Sequence, residues 1–106
     1  GVILESFVFL KLQAMLQPNM EVKFWRTKDG GEVDFILLKD RKPIPIEVKA
    51  TVEKSEIPMG LKRFLNRYPA VSSAYVINGA VNDQTDFGKC RINYLTFERF
   101  VEDFHE

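Results

Sequence analysis

The feature that most constrains the fold is a central run of three short segments, rich in β-branched and aromatic residues, that are joined by tight polar turns. Residues 21–27 and 32–38 flank the sequence KDGG at residues 28–31, which is typical of a β-hairpin turn. A second polar turn at residues 39–42 leads to the third segment, residues 44–50. The run therefore predicts three consecutive strands that form the start of a sheet.

Two prolines lie at the start of the third segment, Pro43 just before it and Pro45 within it. Proline has no backbone N–H and cannot donate to a strand ladder, so it is found at strand edges and in irregular positions. We therefore expect the start of this strand to be irregular or paired on one side only.

Helical periodicity predicts three helices. Residues 2–17 predict the first, which Pro18 ends. Its apolar residues form a stripe that consists of Ile3, Phe7, Leu10 and Ala14, beside Leu4, Val8 and Met15. The second helix, stopped by Pro69, is marked by Leu61, Phe64, Leu65 and Tyr68. Thr96 is expected to cap the third helix, whose predicted inward-facing residues are Phe97, Phe100, Val101 and Phe104.

The remaining segments complete a mixed α/β fold. Residues 73–78 and 91–95 are predicted strands, and residues 82–89 are predicted to be a polar loop. The element order is α-β-β-β-α-β-β-α, which indicates a central mixed sheet flanked by helices. We predict a single domain over residues 1–106. It is expected to be excised from a longer chain, because it opens with glycine and passes directly into a helical pattern.

The amino-acid composition excludes several classes of function. The chain has 106 residues, of which 45% are hydrophobic, enough for one core without disulfides. Its lone cysteine, Cys90, fits a reducing cytosol, and one Cys with one His excludes a zinc finger or a zinc hydrolase. Fifteen basic and fifteen acidic residues balance, which argues against indiscriminate binding to nucleic acid or membrane. No apolar run reaches the ~20 residues that span a bilayer. A cytoplasmic protein with no membrane association is therefore predicted.

The pattern of Asp34, Glu47 and Lys49 carries the strongest functional signal. Asp34 lies mid-strand, where an apolar residue is expected, and Glu47 and Lys49 share one strand face because they are two residues apart. Neighbouring strands are roughly 5 Å apart, so a hairpin brings Asp34 close to Glu47. Two adjacent carboxylates repel unless a proton or a cation neutralises them. A divalent metal ion supplies that charge, and a nearby lysine can orient a water molecule.

Glu5 is the third candidate acid. On the first helix it lies in line with three apolar residues, Phe9, Leu12 and Leu16. Burial of an unpaired charge costs several kcal/mol. The position makes sense if the helix crosses the sheet and delivers Glu5 to a metal ion.

Each acid also has a plain structural interpretation when it is taken alone. Glu5 suits the positive end of a helix dipole, and Asp34 suits an edge strand that discourages aggregation. Glu47 and Lys49 suit a solvated strand face. The combination, in this chain order, favours the site.

Four sequence blocks carry a resemblance to a known family. They are GVILESFV at residues 1–8, FWRTK at residues 24–28, GEVDF at residues 31–35 and IEVKA at residues 46–50. Together with the element order, they resemble the core of the PD-(D/E)XK phosphodiesterase superfamily, which includes restriction endonucleases and archaeal Holliday-junction resolvases. More closely, they resemble the uncharacterised C-terminal domain that follows the ATPase module in many archaeal and bacterial AAA-type ATPases. One departure is that valine, not proline, precedes Asp34.

The resemblance implies a restriction-endonuclease-like core and a metal-dependent site. Glu5, Asp34, Glu47 and the backbone carbonyl of Val48 would bind Mg²⁺ or Mn²⁺, and Lys49 would position or activate the attacking water. The implied activity is endonuclease hydrolysis of nucleic acid, preferably DNA. The implied partners are nucleic acid and the ATPase module of a parent chain, and the small domain leaves room for a homodimer partner.

Two other functional classes stay open. The first is a non-cleaving nucleic-acid-binding or regulatory module of the ATPase that keeps the nuclease fold. The second is a structural dimerisation domain, for which the chain offers only its nine phenylalanines.

The candidates for nucleic-acid contacts are five basic residues: Arg26, Lys28, Lys62, Arg63 and Arg67. Arg26 either contacts a phosphate or pairs with Glu32 across the hairpin. The three on the second helix either track a nucleic-acid backbone or form an ordinary solvated face. Trp25 is expected in the core rather than stacked on a base.

Overall fold

A six-stranded mixed sheet flanked by three helices makes up the described part of the protein, residues 2–53 and 56–105 of the computed structural model. Gly1, Lys54, Ser55 and Glu106 lie outside these ranges. The elements in chain order are α1 (Val2–Ala14), β1 (Met20–Arg26), β2 (Glu32–Lys39), β3 (Lys42–Val48), α2 (Met59–Arg67), β4 (Ser73–Asn78), β5 (Asp83–Phe87), β6 (Cys90–Thr96) and α3 (Phe97–Asp103). The strand order across the sheet is β1-β2-β3-β4-β6-β5. The mixed α/β class with a helix-flanked sheet is confirmed.

The three predicted central strands are present and pair antiparallel in sequence order. In the first turn Gly30 has φ +90°, a conformation that glycine adopts without strain. In the second turn Asp40 and Arg41 have φ 52° and 67°, as in the two-residue turns that match strand twist. Turn chemistry therefore sets the register of both hairpins.

The two prolines of β3 are accommodated because this strand is paired on one side where they lie. Pro43 and Pro45 lie opposite Leu38 and Ile36 of β2, whereas the parallel pairing with β4 begins only at Ile46. Alternate strand residues point their N–H groups to opposite edges. The nitrogens of both prolines therefore face the unpaired edge, and the expectation of one-sided pairing is confirmed.

The prediction of a polar loop at residues 82–89 is wrong, because β5 occupies most of it. This strand forms the sheet edge and pairs antiparallel with β6 through a turn in which Gly88 has φ +59°. Asp86 and Arg91 face each other across the pair, with 2.7 Å between Oδ1 and Nε. An edge strand with few buried residues carries no hydrophobic signal, so its polar sequence resembled a loop.

Alternate residues of the strands enter two separate cores on the two faces of the sheet. Val76 is buried with α2, whereas its neighbour Ile77 is buried with α1 and α3. Trp25 packs in the α2 core, edge-on to Phe64 with ring centroids 5.3 Å apart, so the core interpretation of this residue is confirmed. No helix within the described ranges has the length and apolar character needed to cross a bilayer.

The first helix ends at Ala14, three residues before the predicted end. The N–H of Met15 bonds to Leu12 O at 3.2 Å, a three-residue spacing that tightens the last turn. Val8 and Leu12 are buried, whereas the stripe through Phe7 lies on the outer face of the helix.

The last helix is capped as predicted. Arg99 N donates to Thr96 Oγ1 at 3.3 Å, and Phe100 and Phe104 are buried. Val101 was expected to face inward and does not, because its side chain is 43% exposed. The residues that pack in the core here are Phe97, Phe100 and Phe104.

Candidate functional site

Two carboxylates meet where β2 and β3 stop pairing. The ladder between these strands ends at the pair Phe35 and Ile46, and the next residues in register are Asp34 and Glu47. Asp34 N donates to Glu47 Oε1 at 3.2 Å, and Val48 N donates to Asp34 Oδ2 at 2.7 Å. The side-chain oxygens thus take the place of backbone acceptors, and this fixes the two carboxyl groups beside each other.

Burial dominates the electrostatics of this pair. Glu47 is only 4% exposed. Its desolvation, the hydrogen bond between the two side chains and the charge of Asp34 raise the pKa of Glu47 to about 9, against the smaller opposing effects of the Asp34 N–H and Lys49. Without a cation, we therefore expect the Asp34–Glu47 pair to share one proton at neutral pH.

Val48 and Lys49, the two residues after Glu47, both line the same cavity. Lys49 N donates to Ile77 O of β4 at 2.9 Å, so the N–H of Val48 points the other way, towards β2. Because the N–H and C=O of a strand residue point to the same edge, the carbonyl of Val48 faces the gap that contains Asp34. The Lys49 side chain is exposed and lines the cavity beside Glu47.

These groups form one wall of an open cavity of about 310 Å³. The opposite wall comes from the β1–β2 turn and the first turns of α2, with Asp29, Gly31, Pro58, Gly60 and Arg63 among its residues. Arg63 Nη1 lies 3.7 Å from Asp29 Oδ1 and donates to Asp29 O at 3.3 Å. The cavity is therefore lined by several carboxylates and by one guanidinium group, that of Arg63.

Glu5 reaches this cavity from α1 but does not join the pair. It is half-buried and lines both this cavity and a smaller one shared with Arg26 and Asp34. Over residues 2–53 and 56–105, no three acidic, histidine or cysteine side chains lie close enough together to hold one metal ion. The predicted convergence of three acids is thus observed for Asp34 and Glu47, with Glu5 in the wall of the same cavity.

The predicted basic residues are placed differently from one another. Arg63 is brought to the cavity, whereas the two other candidates on α2 are not among its lining residues: Lys62 is half-buried, and Arg67 lies 6.0 Å from the centre of the Tyr68 ring. Lys28 is exposed in the first hairpin turn. Arg26 faces Glu32 across the hairpin with Nε 3.8 Å from Oε2, so the cross-strand pairing proposed for it is confirmed.

Apart from Arg63, the second wall of the cavity was missed by the sequence analysis. At Gly60 a Cβ would lie 1.9 Å from Glu32 O, so the first turn of α2 packs directly on the start of β2. At Gly31 a Cβ would lie 2.8 Å from Thr27 Oγ1, the atom that accepts the Gly31 N–H. The signal that could have found this wall is a glycine just inside a helix start, where close approach is the usual reason for one.

A comparison with models of protein families identifies the family of the chain. The model of a domain of unknown function, DUF4143, matches residues 1–98. The chain belongs to the DUF4143 family. In this DUF4143 domain the match runs from α1 into α3 and includes every residue of the cavity. No curated protein matches the chain.

Proposed function

We propose that this DUF4143 domain is a metal-dependent phosphodiesterase of the PD-(D/E)XK type that hydrolyses nucleic acid, preferably DNA. The observation that carries the proposal is the contact of Asp34 with Glu47 at the open ends of β2 and β3, with Lys49 on the same wall of the cavity. We place it in the cytoplasm, attached to the ATPase module of an AAA-type chain.

The order of the elements supports this assignment. A restriction-endonuclease-like core requires a first helix with an acid, a strand with an acid and a following strand with the acid-x-lysine pattern. Here Glu5 lies on α1, Asp34 on β2, and Glu47 with Lys49 at the end of β3. The parallel pairing of β3 with β4 across α2 completes the α-β-β-β-α-β arrangement.

The donor set fits a hard divalent cation, Mg²⁺ or Mn²⁺. Asp34 and Glu47 would be its ligands, with the Val48 carbonyl as a further oxygen donor, and Glu5 would have to move towards the pair to join them. The raised pKa of Glu47 supports this, because burial beside a second carboxyl group disfavours the charged form that a cation would favour. When bound, the cation would supply Lewis-acid stabilisation of charge on a phosphate.

The chain's own residues have separate roles in the proposed reaction. The Val48 N–H holds the Asp34 carboxylate in place at 2.7 Å. Lys49 is exposed at the cavity and would orient the attacking water and stabilise developing negative charge. Arg63, on the opposite wall, would exchange its Asp29 partner for a substrate phosphate.

A cleavage assay tests the proposal. The purified domain is incubated with supercoiled, linear, single-stranded and branched DNA and with RNA, with Mg²⁺, with Mn²⁺ or with chelator. We expect metal-dependent cleavage that Asp34→Asn and Lys49→Ala abolish. Asp86→Asn is the matched control, because this exposed acid pairs with Arg91 on the far edge of the sheet. Cleavage that persists in Asp34→Asn would rule out this site.

One observation favours the second candidate, a non-cleaving binding or regulatory module. Glu5 lines the cavity but does not form a three-residue ligand cluster with Asp34 and Glu47 in the described part of the chain. Titration calorimetry with Mn²⁺ separates the two candidates. Metal binding that Asp34→Asn removes, without cleavage of any substrate, would favour the regulatory module.

A further inference from the structure

The first helix is apolar on two opposite faces. Val8 and Leu12 are buried against the sheet, at 0% exposure. On the far side Ile3, Phe7 and Leu10 are 75%, 53% and 61% exposed. At 100° per residue this second set lies opposite the buried pair. Apolar helix faces are normally buried, whereas among the described residues this outer face is covered only in part, by the contact of Phe7 with Phe97 of α3.

The spacing of the exposed residues is that of a helix-pairing surface. Ile3, Phe7, Leu10 and Ala14 recur at intervals of four, three and four, which is the a/d pattern of a two-helix seam. We call these four residues the α1 seam. None of them carries a charged or polar group that could hydrogen-bond to water. Covering the seam with another apolar surface would therefore be favourable.

The seam belongs to a larger apolar surface. Val101 of α3 is 43% exposed. The two helices meet through Phe7 and Phe97, whose ring centroids are 5.9 Å apart, and Val101 lies one turn beyond Phe97. Summed by their exposed fractions, these side chains present on the order of 500 Å² of apolar surface. Two such surfaces together reach the ~1,000 Å² expected of a specific interface.

We propose that a second copy of this chain packs antiparallel along the α1 seam and forms a two-fold symmetric dimer. In this arrangement Phe7 lies against Leu10 of the second copy, and Ile3 lies against the small Ala14 of the second copy. Large residues thus meet smaller ones, and the uncharged seam brings no like charges together. Glu5 is on the opposite side of the helix from the seam, so both cavities stay open.

Sedimentation velocity over concentrations from about 1 to about 100 µM tests the dimer. We expect a concentration-dependent dimer, and Leu10→Glu should raise its dissociation constant at least ~10-fold. Met59→Glu is the matched control, because Met59 is 65% exposed, close to the 61% of Leu10, and lies on α2. Circular dichroism checks that both variants fold. A wild-type chain that is monomeric throughout, or a dimer that Leu10→Glu leaves intact, would overturn the proposal.

Cysteine cross-linking tests the direction of the helices. In an antiparallel pair the two copies of residue 3 are separated by about 16 Å along the axis, too far for a disulfide. Ile3→Cys mixed with Ala14→Cys should therefore cross-link on oxidation, whereas Ile3→Cys alone should not. Cys90 does not interfere, because it is 3% exposed and burial raises its pKa to about 11. A disulfide in Ile3→Cys alone, or no mixed product, would overturn the antiparallel dimer. Binding of an ATPase module to the seam of a monomeric chain would also overturn the antiparallel dimer.

Discussion

The main-chain N–H of Val48 donates to the Asp34 carboxylate at 2.7 Å, in the gap where β2 and β3 have stopped pairing. The carboxylate therefore has a structural role, because it accepts a hydrogen bond from a backbone N–H that has no partner in the β2–β3 ladder. It also lies beside the buried Glu47, whose carboxylate accepts the N–H of Asp34 in return. This reciprocal arrangement ties the geometry of the proposed catalytic acids to the ends of the two strands.

The first prediction separates the structural task of Asp34 from its proposed catalytic one. Asp34→Asn keeps an oxygen that can accept the Val48 N–H, so we expect a loss of unfolding free energy below ~1 kcal/mol. Asp34→Ala removes the acceptor and should cost about 1–3 kcal/mol. Both should lower the cleavage rate at least ~100-fold. Urea unfolding and a single-turnover assay measure the two effects, and equal stability losses in both variants would contradict the bonding described.

The second prediction concerns Glu47 and pH in the absence of metal. Its pKa is raised from 4.5 to about 9 by burial first and then by Asp34. The folded state therefore binds the proton more tightly than the unfolded state. The stabilisation is full below pH 4.5 and is lost as the pH rises towards 9.

Glu47→Gln should remove this slope and raise the unfolding free energy at about pH 8 by at least ~1 kcal/mol. Thermal unfolding in chelator from about pH 5 to about pH 9 measures it. Glu102→Gln, an exposed acid on α3, is the control and should leave the slope unchanged. Parallel pH profiles for wild type and Glu47→Gln would contradict the prediction.

The third prediction concerns metal addition. A cation bound by ionised Asp34 and Glu47 must displace the Glu47 proton, so affinity should increase with pH. We expect a saturating concentration of Mn²⁺ to raise the melting temperature more at about pH 8 than at about pH 5.5, with a shift of several degrees at the higher pH. Glu47→Gln should lose the shift. An equal shift in Glu47→Gln would place the bound metal elsewhere.

The fourth prediction concerns the contact between α2 and β2. Gly60→Ala places a Cβ 1.9 Å from the carbonyl oxygen of Glu32 unless the backbone moves. We expect a loss of about 2 kcal/mol or more of unfolding free energy, because backbone atoms cannot yield as a side chain does. Asn66→Ala, an exposed position on the same helix, should change stability by less than ~0.5 kcal/mol. Denaturant unfolding of both variants checks this, and a neutral Gly60→Ala would refute the close packing.

Strands with strong local signals were predicted well, and one without such a signal was not. β1, β2 and β3 carry β-branched residues and turn sequences, and each lies within two residues of its predicted bounds. β5 exists because β6 offers it an open edge to pair with, and no residue pattern within β5 records that. Val101 is a similar case, since its spacing suits a buried face but Phe97, Phe100 and Phe104 are the residues there that pack in the core.

The candidate site also has features that were predicted from the sequence and features that were not. Residue type and a two-residue period were enough to single out Asp34, Glu47 and Lys49, because strand alternation is a local property of the backbone. The distance between Asp34 and Glu47 and the burial that raises the Glu47 pKa depend on where the strands stop pairing. The wall formed by Gly60 depends on where α2 packs against the sheet. Periodicity likewise found both apolar stripes of α1, but only packing against the sheet selected which one is buried. The local sequence sets the periodicity of each helix and strand. Contacts between distant residues depend on how these elements pack together in the core.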